Sequence, residues 1–417
     1  MRKLVVASAI LATILTMPVG AAAASPAASP TPIPTPGPTF SSAATDPDRA
    51  AGALAYLVAA QLPDGSIDKS LGETADFIIG TAAAGYDPAT LTSCTSGGTG
   101  ALAFLATASD AATADAAQTG KAILAVVAAG LDPTAFSGRN LITRLAALYH
   151  AGTGAYGDGS TFAQAFAILA VQASGGAVSP AATAELLALQ DTDGSWSYGK
   201  APVAAGGGDT NSTGIALMAL DASGIHSADA AALAYLATQQ LADGGFPYQN
   251  STANGTPASD ADSDSIVLQA LLAMGQDSGS VGWSKGSADV LTSMRASQAI
   301  DGGFTYPGSG ESAFTTSQVP AGLAGVPYGA AAHFKAGLGV PATQCPGYVP
   351  VASPSPAASP SASAGSAAGG AASSGGDDSS PSGSSGPGFT FLAAGAVVLI
   401  LLAGGGLWFY RARSRPR

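Results

Sequence analysis

Between Tyr56 and Phe304 one phrase recurs: a helix ending in Gln, two residues, Asp-Gly, a small residue and a large apolar one. The copies are Gln61-Leu-Pro-Asp64-Gly65-Ser-Ile67, Gln190-Asp-Thr-Asp193-Gly194-Ser-Trp196, Gln240-Leu-Ala-Asp243-Gly244-Gly-Phe246 and Gln298-Ala-Ile-Asp301-Gly302-Gly-Phe304. A motif repeated at such intervals specifies supersecondary units that stack on one another, so it constrains the architecture before any single element is read.

Two sets of helices alternate around these turns. Segments 49–61, 98–109, 140–150, 180–190, 228–240 and 287–298 carry the i, i+3, i+4 apolar spacing of half-buried helices. Between them, segments 74–85, 119–130, 161–175, 212–224, 264–275 and 315–325 are more continuously apolar, and each closes on a glycine suited to a left-handed C-cap. A helix that is apolar nearly all round is buried on every side, which puts the second set inside and the first outside. The prediction is an all-α fold, an α/α toroid of about six helical hairpins, spanning residues 45–350.

The flanks predict a location. Residues 1–24 have the basic start, apolar stretch and small-residue exit of a secretory signal peptide. Residues 25–44 (Pro/Ala-rich) and 351–388 (Ser/Gly/Pro-rich) read as disordered linker and stalk, because such compositions bury too little apolar surface to fold. Residues 389–410 form an uncharged apolar run, long enough at about 1.5 Å per residue to cross a hydrocarbon core of about 30 Å. The arginines of the 411–417 tail mark the cytoplasmic side. The expectation is a secreted protein held by one C-terminal transmembrane helix, its toroid extracellular. Pro387-Gly388-Phe389, the apolar span and the basic tail also resemble a tripartite sorting signal, which would replace the span by another anchor. The net charge of −12 excludes nucleic acid as a partner. In an oxidising compartment, Cys94 and Cys345 are expected to form a disulfide. Such a bond joins an early repeat to the end of the last, as a closed ring allows. Free thiols or an intermolecular bridge are the alternatives.

Three copies of the motif add a second aromatic: Trp196-x-Tyr198, Phe246-x-Tyr248 and Phe304-x-Tyr306. Ring closure would put all three pairs on one rim, able to line a pocket for an apolar ligand or simply to brace loops. Inner helices begin on the same rim, with Asp209 and with Asp260, Asp262 and Asp264 at their starts. Capping explains most of these residues. Three carboxylates exceed what a cap needs, but the spacing lacks the glycine and distal glutamate of a calcium loop, so no metal ligand set and no cofactor is assigned.

Tyr235-Leu236-x-x-x-Gln240-x-x-Asp243-Gly244-Gly245-Phe246 resembles the repeat of the terpenoid cyclase and protein prenyltransferase toroids, the prenyltransferase and squalene oxidase repeat. The chain is similar also to the α domain of transcobalamin-type cobalamin carriers. The resemblance covers most of residues 46–350 and is degenerate near Phe104-Leu105, where Ser109-Asp110 replaces the Gln and its turn. It implies a barrel of alternating inner and outer helices. For triterpene cyclases it implies an Asp-x-Asp-Asp acid motif, matched here by Asp262-Ser263-Asp264-Ser265 with Ser265 in the last place, which makes Asp264 the candidate catalytic residue. The Asp, Cys and His of the zinc prenyltransferases are not matched, since both cysteines fall outside the corresponding repeats. Three readings follow. The leading one is a membrane-anchored surface toroid that binds a small hydrophobic or corrinoid ligand, isoprenoid or cobalamin-like. Its rim would comprise Trp196, Tyr198, Asp209, Phe246, Tyr248, Asp262, Asp264, Phe304 and Tyr306. The second is a terpene-cyclase-like or prenyltransferase-like enzyme; the third is a structural or adhesive module with a macromolecular partner and a ring filled by its own side chains.

Overall fold

A computed structural model describes residues 45–111, 115–199, 207–251, 256–330 and 340–341. The expected signal peptide, linker, stalk, membrane span, basic tail and Cys345 lie outside the described residues. Among the described residues no helix is long and apolar enough to cross a membrane.

The helices come in hairpins: α1 (Pro47–Ala60) with α2 (Leu71–Ala83), α3 (Ala101–Ala111) with α4 (Ala116–Ala128), α5 (Leu141–Ala147) with α6 (Thr161–Ala173). Then follow α7 (Pro180–Ala188) with α8 (Thr210–Ala222), α9 (Asp229–Gln239) with α10 (Ala261–Ala273), and α11 (Val290–Ser297) with α12 (Ala313–Ser317) and α13 (Val319–Leu323). Most inner helices start earlier than the apolar run suggests, because a polar side chain caps the first turn of every one except α2. Asp209 accepts the Ser212 N–H at 2.6 Å, Asp260 that of Ser263 at 2.9 Å and Ser312 that of Thr315 at 3.0 Å. The sixth inner helix, expected unbroken over 315–325, is divided at Gln318; Pro320 has no N–H to give and is tolerated only in the first turn of a new helix.

The inner helices close a ring. α2 packs on α4, α4 on α6, α6 on α8, α8 on α10 and α10 on α13, which returns to α2. At the seam Arg295 Nε lies 2.6 Å from Asp46 Oδ2, and the Asp46 N–H donates to the Leu323 carbonyl at 2.7 Å. A short parallel pair, Tyr86–Asp87 with Val340–Pro341, also brings the chain beyond the last hairpin back to the first.

The repeated motif is the joint between units. Each Gln folds back on its own turn: Nε2 of Gln61, Gln190, Gln240 and Gln298 donates to the carbonyl of Gly65, Gly194, Gly244 and Gly302 at 2.7 to 3.0 Å. Each Asp holds the turn from within, as Asp193 does by accepting the Ser195 N–H and hydroxyl. The Gly is required twice over: at Gly302 φ is +97°, and a Cβ would stand 2.1 Å from the Gly52 carbonyl oxygen of α1. Every such turn therefore docks on the first turns of the next outer helix, and the last docks on the first.

Candidate binding rim

One geometric rule places the inner-helix starts. Four residues after the cap, a side chain accepts the backbone N–H of the motif's large apolar residue: Thr74 from Ile67 (3.0 Å), Thr213 from Trp196 (3.0 Å), Thr316 from Phe304 (2.8 Å). Gln164 does the same for Tyr156 at 2.8 Å, which reveals a further copy at Gly154-Ala155-Tyr156 that the sequence reading missed. Its Gln stands on the inner helix rather than before the turn, so the spacing rule passed over it.

On α10 that place belongs to Asp264. Its Oδ1 accepts the Phe246 N–H at 2.5 Å, and the residue is fully buried. Burial pushes its carboxyl well above the usual range. Asp264 thus stands where threonine stands in three other repeats, a joint between turn and helix. Trp196, Phe246 and Phe304 are also fully buried, with Trp196 Nε1 bound to the Leu186 carbonyl at 2.8 Å, so they form core beneath the rim.

The second aromatics remain at the surface: Tyr198, Tyr248 and Tyr306 are 50%, 40% and 40% exposed. Tyr198 stacks at 5.0 Å on Phe162, which lies two residues after the α6 cap, and Phe162 lies 5.8 Å from Phe166 deeper in the helix. Tyr248 hydrogen-bonds to Asp209, which is buried by its neighbours and pushed up to about 6 despite the Ser212 donors. Tyr306 sits close enough to Asp260 and Asp262 for their charge, added to burial, to raise its hydroxyl.

Asp262 occupies on α10 the place that Phe162 occupies on α6, two residues past the cap. It is 6% exposed and its Oδ1 has no hydrogen-bond partner. Burial first, and then the charge of the hydrogen-bonded Asp260, drive its carboxyl well above the ordinary value. The rim therefore brings together two groups of the expected residues, Asp209 with Tyr198 and Tyr248, and Asp262 with Tyr306. Among the described residues no three His, Cys, Asp or Glu are grouped to hold a metal. Among the described residues, one cavity of about 270 Å³ adjoins the Asp209 group, lined by Gly208, Tyr235 and Gln249, and another of about 350 Å³ lies between Leu102, Leu131 and Phe136.

A cluster missed in the sequence lies deeper. Asp76 of α2 accepts from Lys121 of α4 at 2.6 Å and from the Tyr328 hydroxyl at 2.7 Å. Asp76 and Lys121 were legible as charges inside continuously apolar helices, each nine residues before its closing glycine.

No family model matches the sequence, and no curated protein does. Among solved structures the chain is similar in fold to the type II terpene cyclase MstE from Scytonema. A variant of that enzyme in complex with geranylgeranyl dihydroxybenzoate shares 15% identity at a TM-score of 0.46, over 68% of this chain and 98% of that one. The apo enzyme shares 16% at 0.45, over 66% and 97%. Likeness at this level carries no argument about this chain, and nothing about activity follows from it.

Proposed function

We propose that this chain is a terpene-cyclase-like toroid that takes a small apolar ligand of the isoprenoid class at the mouth of its inner ring, with Asp262 as the acid facing it. The Asp262 carboxyl carries this reading: buried, its proton affinity raised by burial and by Asp260, with one oxygen free of partners. Phe162, Phe314 and Tyr198, all partly exposed, supply apolar surface at inner-helix starts around the same rim. A neutral carboxylic acid in apolar surroundings can protonate a double bond or donate a hydrogen bond to a ligand oxygen, and an ionised one can do neither. This transfers the role of acid from Asp264, which is fully buried and bonded to the Phe246 N–H, to its neighbour, which keeps 6% exposure; each carboxyl has one oxygen without a partner. Corrinoid capture has no feature of the rim behind it.

The test uses the folded chain with farnesol and geranylgeraniol. Wild type and Asp262→Asn should both be stabilised, and only wild type should convert the ligand to an isomeric cyclic product. Stabilisation without conversion would leave a binding protein, and no stabilisation by either lipid would defeat the proposal.

A second reading, the structural module, is favoured by one observation: Tyr328 of the chain itself fills the ring. It predicts no response to isoprenoids and a partner on the outer face. Either version is proposed to act outside the cell, since the leader-like residues 1–24 and the apolar span 389–410 support export and anchoring.

A further inference from the structure

The centre of the ring holds a second constellation, independent of the rim. After α13 the chain turns at Gly325 (φ +72°), and Pro327, Tyr328 and Ala330 beyond it are buried. Tyr328 is 2% exposed. Its ring meets the edge of Phe166 at 5.7 Å and 80°. Its hydroxyl donates to Asp76 Oδ1 at 2.7 Å. The other carboxylate oxygen, Oδ2, accepts from Lys121 Nζ at 2.6 Å, and that ammonium lies 5.1 Å over the Phe166 ring. At the next residue, Gly329, a Cβ would stand in ordinary contact, 3.6 to 3.9 Å, with atoms of Ala222, Leu169 and Met218. Three inner helices, α2, α6 and α8, thus grip two consecutive residues of a segment that belongs to none of them.

Every part of a phenol is matched here: an aromatic ring at right angles to its own, an acceptor for its hydroxyl, and a cation bonded to that acceptor's other oxygen. A buried ion pair is weak evidence of stabilisation, because apolar residues of the same volume do as well or better. Recognition explains it better, since a site built to bond a hydroxyl rejects the analogue that lacks one. We propose that the ring lumen is a binding site for phenol-bearing ligands, occupied here by the chain's own Tyr328, so that residues 326–330 act as a self-inhibitory plug. A tethered occupant competes at high effective concentration, so a free phenol enters only when the plug withdraws. This does not rest on the isoprenoid reading of the rim.

The experiment takes the full chain carrying Tyr328→Ala and titrates it with p-cresol and with toluene. Saturating p-cresol should raise its melting temperature by roughly 5 °C, toluene by much less, and neither should shift wild type. Equal shifts with the two compounds would show an apolar hole without hydroxyl recognition, and no shift with p-cresol would show no site; each overturns the proposal. If Tyr328→Ala does not fold alone, refolding in p-cresol is the readout. Recovery with p-cresol and failure with toluene support the site, and failure in both counts against it. Asp76→Asn in the Tyr328→Ala background should abolish the preference for p-cresol.

Discussion

Gln298 and Arg49 stand at opposite ends of the toroid's sequence and are bonded twice. The Gln298 amide donates to the Arg49 carbonyl at 3.0 Å and accepts from the Arg49 guanidinium at 3.0 Å. The same amide nitrogen caps its own turn through Gly302 at 3.0 Å. One side chain therefore forms the repeat and seals the ring.

Gly302→Ala should open that seal. Positive φ alone opposes a Cβ by about 1 to 2 kcal/mol, and the Gly52 backbone leaves no room for it, so a loss of roughly 2 to 4 kcal/mol is expected. Gly308→Ala is the control: φ is +78° but nothing lies within 4 Å, and about 1 kcal/mol should be lost. Urea unfolding of the two variants measures both.

Acid should stabilise the toroid. Asp209, with an ordinary value of 3.8, is pushed up to about 6 in the fold, and burial raises Asp262, Asp264 and Glu73 as well. A raised native value means that the native state holds protons the unfolded chain has released, so stability falls as pH rises from about 4 to about 6 and the cost persists above. For Asp209 this is on the order of 3 kcal/mol between pH 7.5 and pH 4. Melting temperature should therefore rise as pH drops from 7.5 to 5, and Asp209→Asn should flatten the slope. A fall over that range in wild type would contradict the raised native values of these carboxyls.

The protonation of Asp262 is open to direct measurement. Infrared difference spectra of wild type against Asp262→Asn at pH 7 should contain the carbonyl stretch of a protonated carboxylic acid. A carboxylate band in its place would remove the acid from the rim.

The fold was legible because its signals are local and repeated. Gln190, Gly194 and Trp196 lie within seven residues, and their roles as hook, turn and core depend on nothing far away. The closing glycines were equally readable, and Gly85, Gly130, Gly175, Gly224, Gly275 and Gly325 all have positive φ. The site was less legible for the opposite reason. Asp262 and Asp264 look alike in sequence, and only the third dimension shows that Asp264 is wholly buried against the Phe246 N–H while Asp262 stays 6% exposed beside Asp260. Tyr328 and Asp76 are 252 positions apart, and no spacing rule joins them.

The proposed Cys94–Cys345 bond follows the same closure. Val340, five residues before Cys345 in sequence, pairs with Tyr86, eight residues before Cys94. Reduction should lower the melting temperature, since a loop of about 250 residues contributes roughly 4 to 5 kcal/mol by chain entropy. An unchanged melting curve in reductant would contradict the pairing.

The rim is tested by a thermal-shift titration of the folded chain with geranylgeraniol, run beside Tyr198→Ala and Asp262→Ala. Wild type should show a clear rise, about 2.7 kcal/mol at a hundred times the dissociation constant, and each variant a much smaller one. A flat wild-type response, or equal responses in all three proteins, would contradict ligand binding at the rim.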